Sequence, residues 1–270
     1  MRRGLVLVAA LLAVLPAPAS ACNAGARSGA VKHRPRAERP PLIIGDSTMI
    51  FAAPKLGRRG FEADARGCRQ FAAGVAMLAR RRAIGRLPRV AILALGANGA
   101  IPRRVMRRAL RVMGRRRVLG LVTPRNSASS QATMRWAARR FPDRVLLIDW
   151  VAFSARHGGW FSGDGLHVNH TGATAFAELV RRRVDPLVHP PVRRLSLPRD
   201  PQRAGKVCGR RVYVTRGADR IACTRARQLA RAPRMRGVPG WRFFDLRGVR
   251  RRPWTGAWMR RDAKVVVAVA

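Results

Sequence analysis

The stretch PLIIGDSTMIF, residues 41–51, ends an apolar run on Gly45, Asp46 and Ser47. A serine hydroxyl is a poor nucleophile until a base takes its proton, and the base needs a carboxylate to orient it. Such a pair stands in SGDGLHVNHTG, residues 162–172, where two residues separate Asp164 from His167 in a glycine-rich turn. There both side chains can face one way, the carboxylate at imidazole Nδ1 and Nε2 left for Ser47. Histidine occurs only at 33, 157, 167, 170 and 189, so the pairing is not drawn from a crowd. A third stretch, LGANG at 95–99, offers the Asn98 amide, which with the Ser47 backbone N–H would suit the oxyanion of a tetrahedral intermediate. Together these groups could attack an ester carbonyl. Each also has a plainer reading: Ser47 as a turn residue, Asp164 as a capping carboxylate, Asn98 as a left-handed residue before Gly99.

The elements around these residues decide whether they can meet. PLIIG, RVAILALG (89–96), RRVLGLV (116–122) and DRVLLIDW (143–150) are short apolar runs, as buried strands are. Between them, 71–83, 103–113 and 132–141 have helical spacing, and 171–184 forms a last helix with Thr171 near its start. Apolar strands alternating with amphipathic helices predict a parallel sheet covered on both faces. The expected fold is a three-layer α/β/α sandwich, flavodoxin-like, over 41–185. In such sheets chemistry sits beyond the carboxyl ends of the strands, where Ser47 and Asn98 both fall. Residues 186–204 carry five prolines and read as a linker, and 205–270 read as a small α+β module. Its Trp241, Trp254 and Trp258 could stack on sugars or fill a core.

The ends and the charge bear on location. Arg2 and Arg3, the apolar run Leu5–Leu15 and the small residues before Cys22 predict a signal peptide over 1–21, and 22–40 reads as a flexible basic tether. Export would make the four cysteines disulfide candidates. Cys208 and Cys223 form the natural pair, closing a loop that contributes about 3 kcal/mol on the chain-entropy model. Cys22 could be lipidated, paired with Cys68 or free. The formal charge is +43, with 56 Lys+Arg against 13 Asp+Glu, and only residues 32, 55, 206 and 264 are Lys. This suggests an anionic partner such as a cell-envelope polymer, or else an arginine-rich genome; no nucleic-acid module is recognisable.

GDS after a first strand, GAN after a central one and DGLH before the last helix resemble the SGNH (GDSL-type) hydrolases. DARGCRQFAAGVAML (64–78) and LIDWVAFSARHGGWFSGDGLHVNHTGATAFAEL (147–179) resemble, more closely, the SGNH domains associated with membrane sugar O-acyltransferases. The resemblance spans about 41–182. It implies a Ser47–His167–Asp164 triad, ester chemistry, no metal and no cofactor. It also implies a backbone oxyanion donor from a second block, where Arg69 stands in place of the usual glycine. The Gly96-Ala97-Asn98-Gly99 block departs from the family at its last residue, usually Asp. The first reading is an exported, cell-envelope-associated esterase acting on an acylated carbohydrate or small ester. A carbohydrate O-acyltransferase working beside a membrane acyltransferase, and a non-catalytic basic envelope-binding protein, are the alternatives.

Overall fold

The computed structural model describes residues 20–30, 39–188, 197–198, 200–215, 221–233, 238–246, 253–260 and 266–270. Most of the predicted signal peptide and part of the predicted linker lie outside them. After α1 (Ser20–Asn23) and β1 (Gly25–Ser28), the chain forms β2 (Leu42–Gly45), a 3-10 turn (Ser47–Ala52), α2 (Ala53–Arg58) and β3 (Glu62–Arg66). There follow α3 (Phe71–Ala83), β4 (Val90–Ala94), α4 (Arg103–Met113), β5 (Val118–Val122), α5 (Ala128–Arg140), β6 (Val145–Ile148), α6 (Trp150–Ser154) and α7 (His170–Val188). The sheet order is β1-β3-β2-β4-β5-β6. All neighbours are parallel except β1, which runs antiparallel to β3.

The two-residue period of the strands feeds two cores. Ile43, Ile92, Val118 and Ile148 face one way, with Leu56 of α2 and Phe176, Val180 and Val184 of α7. Leu42, Ile44, Leu93 and Leu119 face the other way, with Leu78, Met106 and Met134 of α3, α4 and α5. The domain is therefore a three-layer α/β/α sandwich.

Two expectations are corrected here. Part of the predicted tether is an edge strand: β1 covers the otherwise open side of β3, Gly67 N–H donates to Ala24 O at 2.8 Å, and a disulfide joins Cys22 to Cys68. An unpaired strand edge is a ready template for pairing, and this segment supplies the partner. The last helix also runs past 184 to Val188 with Pro186 inside it. Burial of Val184 and Leu187 holds the final turn despite the missing N–H.

The C-terminal module comprises β7 (Lys206–Gly209), β8 (Val212–Val214), α8 (Cys223–Arg231), β9 (Trp241–Asp245), β10 (Gly256–Arg260) and β11 (Val266–Val269). Its antiparallel sheet has the order β7-β8-β11-β10-β9. A disulfide joins Cys208 to Cys223, and Trp254 and Trp258 are core residues, 3% and 1% exposed. The module docks on the α/β domain through β9 and α7. Asp245, fully buried, meets the Arg89 guanidinium at 2.7 Å, and Arg89 also donates to Leu187 O at 3.2 Å. Removing one partner of such a pair strands a buried charge, so Asp245→Ala should cost roughly 3–5 kcal/mol. Thermal unfolding checks this; an unchanged midpoint would show that the pair does not tie the two parts together.

Candidate active site

Ser47 stands where β2 stops. Gly45 permits the tight turn there, because a Cβ at that position would lie 2.8 Å from Met49 side-chain atoms. Asp46 caps the 3-10 turn: its Oδ1 accepts from Thr48 N at 3.1 Å and from Thr48 Oγ1 at 2.6 Å. It also accepts from the Ala97 backbone N–H, and burial, its largest influence, pushes the carboxyl up from its ordinary range. Ser47 opens the turn, a position whose N–H has no acceptor within the turn itself.

The other half of the site is the loop before α7. Phe161 bridges Val168, and Ser162 N–H donates to His167 O at 2.8 Å, so 162–167 is held as a narrow tongue. At its tip Gly165 takes φ +66, a left-handed conformation that side chains strain to adopt. Asp164 Oδ1 accepts the N–H groups of Leu166 and His167 at 2.9 and 3.0 Å, while its Oδ2 meets His167 Nδ1. His167 Nε2 lies 2.9 Å from Ser47 Oγ. Residues 120 apart in sequence are thus joined in one hydrogen-bonded line. The Asp164 carboxyl is held down at about 2, chiefly by its bond to His167 and then by the Leu166 N–H.

Asn98 lies just beyond β4, at the same edge as Ser47. Its Nδ2 is buried and has no hydrogen-bond partner among the described residues. An unpaired buried donor is costly, and such a group is what an oxyanion would satisfy. Arg69, where a backbone donor is expected, also works through its side chain. Its guanidinium is buried and bonds Gly45 O at 2.9 Å, Asp64 O at 2.7 Å and Asp64 Oδ1 at 2.7 Å. The side chain therefore buttresses the ends of β2 and β3.

Sequence reasoning missed two supports. Arg125, just after β5, donates to Gly165 O and Ser154 Oγ, both at 3.0 Å, and lies over the Phe161 ring. Nothing in its local sequence distinguishes it from the many other arginines. Asn169 accepts from Thr171 N and Gly172 N at the start of α7 and donates to Gly159 O. That one was readable, since Asn just before a helix is a capping residue. Trp160 and Phe161 pack with Trp150, and His157 stacks on Trp160.

No protein-family model matches the chain. Over 150 residues it is 23% identical to "O-acetyltransferase OatA" of Staphylococcus aureus (strain NCTC 8325 / PS 47), covering 54% of this chain and 25% of that protein. The same figures hold for its counterpart in strain COL. The chain thus spans a quarter of the length of these curated relatives. Among solved structures, it resembles the C-terminal catalytic domain of Streptococcus pneumoniae peptidoglycan O-acetyltransferase A, with TM-score 0.50 and 18% identity over 55% of this chain and 93% of that one. The α/β domain shares the fold of that catalytic domain.

A carboxyl depressed like that of Asp164 lends stability above its unfolded value of about 4, lost as pH falls toward 2. With the side chain 47% exposed, screening keeps that contribution small. Its consequence is kinetic. Above about pH 4, kcat/KM for an aryl ester should show at most one inflection, and none from the Asp164 carboxyl, which stays ionised there. Asp164→Asn should lower the plateau, by up to roughly 10⁴-fold where the wrong tautomer is favoured. A second inflection that vanishes in Asp164→Asn, or a variant at the wild-type plateau, would remove the carboxylate from this role.

Proposed function

We propose that this chain is an exported serine esterase that removes O-acyl groups, chiefly O-acetyl, from cell-envelope or extracellular carbohydrate. The observation that carries the reading is the hydrogen-bonded line from Asp164 through His167 to Ser47 Oγ. Neutral His167 takes the Ser47 proton as Oγ attacks the ester carbonyl carbon. The oxyanion that forms accepts hydrogen bonds from Asn98 Nδ2 and backbone N–H groups of Ser47 and Arg69. His167 then hands its proton to the departing sugar oxygen, leaving Ser47 acylated. A water gives a proton to His167 as it attacks, and collapse of the second tetrahedral species frees acetate and restores Ser47.

Two features favour a small acyl group on a large alcohol. The His167 and Asp164 side chains are 37% and 47% exposed, so the triad lies open to a substituent on a polymer. Thr48 and Leu166, the chain neighbours of Ser47 and His167, line a cavity of about 20 Å³ together with Leu95, Thr123, Arg125 and Trp150. That is close to the least space a single water occupies and suits a methyl better than a longer chain. Two disulfides fit an oxidising, extracytoplasmic compartment.

A second reading, transfer of the acyl group to a sugar hydroxyl, is favoured by the O-acetyltransferase names of the relatives. It uses the same acyl-enzyme and changes only the final acceptor, with a membrane acyltransferase as the supplier of acyl groups. Purified protein given p-nitrophenyl acetate should release nitrophenol at least about tenfold faster than with the butyrate, since each methylene that a pocket cannot seat costs roughly 1–3 kcal/mol and butyrate carries two more. Added chitooligosaccharide, followed by mass spectrometry, separates the readings: free acetate alone supports hydrolysis, acetylated sugar supports transfer. Equal rates for the two esters would contradict the acetyl preference, and a Ser47→Ala variant at wild-type rate would contradict both readings.

A further inference from the structure

The C-terminal module holds a concave site made entirely of its own residues. Arg210, Arg211, Arg227 and Arg231 surround a cavity of about 580 Å³ whose floor includes Val212 and Val269. That volume falls within the roughly 300–1,000 Å³ of ligand clefts. All four arginines are exposed, and none forms an ion pair among the described residues. Like charges around one concavity add their fields and draw in an anion.

The arrangement is held before any ligand arrives. The Cys208–Cys223 disulfide fastens the turn after β7, which carries Arg210 and Arg211, to the start of α8, which carries Arg227 and Arg231. Arg227 Nη1 donates to Cys208 O at 3.2 Å, and Ala270 N–H donates to Arg211 O at 3.1 Å. Arg211 itself takes φ +65, a left-handed conformation uncommon outside glycine, which sets the direction in which its side chain leaves the backbone. Less ordering remains to be done on binding than for arginines on a free loop.

We propose that this pocket binds an acidic polysaccharide, its anionic groups on the arginines and its sugar rings over the apolar floor. Single-stranded nucleic acid fits less well, because among the described residues no aromatic side chain lines the pocket to stack on bases. The proposal goes beyond the esterase reading and stands independently of it: the module would hold an acidic glycan whether or not Ser47 turns over esters.

The test uses the full chain carrying Ser47→Ala, so that turnover plays no part, titrated calorimetrically with polygalacturonate at roughly physiological salt. R210Q/R231Q should weaken binding at least about tenfold, each lost charged contact being worth a substantial part of that factor. R211Q/R227Q tests the same pocket through its other two arginines and should give a similar loss. The control is R104Q/R108Q, a charge-matched pair of exposed arginines on α4, which should change affinity less than about twofold if distant charges are screened. Equal losses in pocket and control pairs would make the binding a property of diffuse charge and overturn the proposal. Failure of the parent chain to bind polygalacturonate would overturn it too, as would tighter binding to phosphatidylglycerol vesicles or to oligo-deoxythymidine.

Discussion

The carboxylate of Asp46 sits at the tip of β2 with almost no access to water, and two loops close around it. Burying a carboxylate is expensive unless its oxygens are satisfied. Here the bonds come from Thr48, in the turn that presents Ser47, and from Ala97, beside Asn98. One group thus sets the turn that presents Ser47 and the loop that carries Asn98 against each other. Behind it, the Arg69 guanidinium clamps Gly45 O and Asp64, so the strand ends that carry the turn cannot splay. The His167 tongue is built separately, on the α7 cap of Asn169 and the strut from Arg125. Its fit to Ser47 depends on β2 and α7 packing in one core.

How much of this the residues announced varies with the strength of the local signal. The bounds of α3 and α4 were legible to the residue, because long amphipathic runs leave little choice of register. The strand β3 was not. EADAR alternates charge with alanine, a weak strand former, and becomes a strand because β2 pairs with it and Arg69 satisfies Asp64. The edge strand β1 was hidden in a polar, glycine-bearing stretch and depends on pairing with β3 and on the link to Cys68. Ser47, Asp164, His167 and Asn98 could be picked out because chemistry restricts residue types more tightly than packing does. The work of the Arg69 and Arg125 side chains could not, since their partners are distant in sequence and arginine is everywhere in this chain.

That abundance makes arginine a structural material here as well as a surface charge. Arg69, Arg89 and Arg183 spend their guanidinium groups on backbone carbonyls or buried carboxylates, at Gly45, Leu187, Leu147 and Asp245. Arg103 lies over the Trp136 ring and Arg125 over Phe161. A planar fork with five donors can hold several carbonyls at once, which an ammonium does less well. Net charge alone therefore overstates what is free for a partner, and arginines that face solvent without a carboxylate, as around the β7–β8 turn, are the ones open to a ligand.

The central claim is that Ser47 becomes covalently acylated. Rapid acid quenching after mixing with p-nitrophenyl acetate, followed by peptide mass spectrometry, tests it without assuming the final acceptor. The account predicts a single acetyl group per chain, on the peptide containing Ser47 and assigned to that residue, appearing with the first turnover. Acetyl found on another side chain, or nitrophenol released with no acetyl ever held on Ser47, would contradict it.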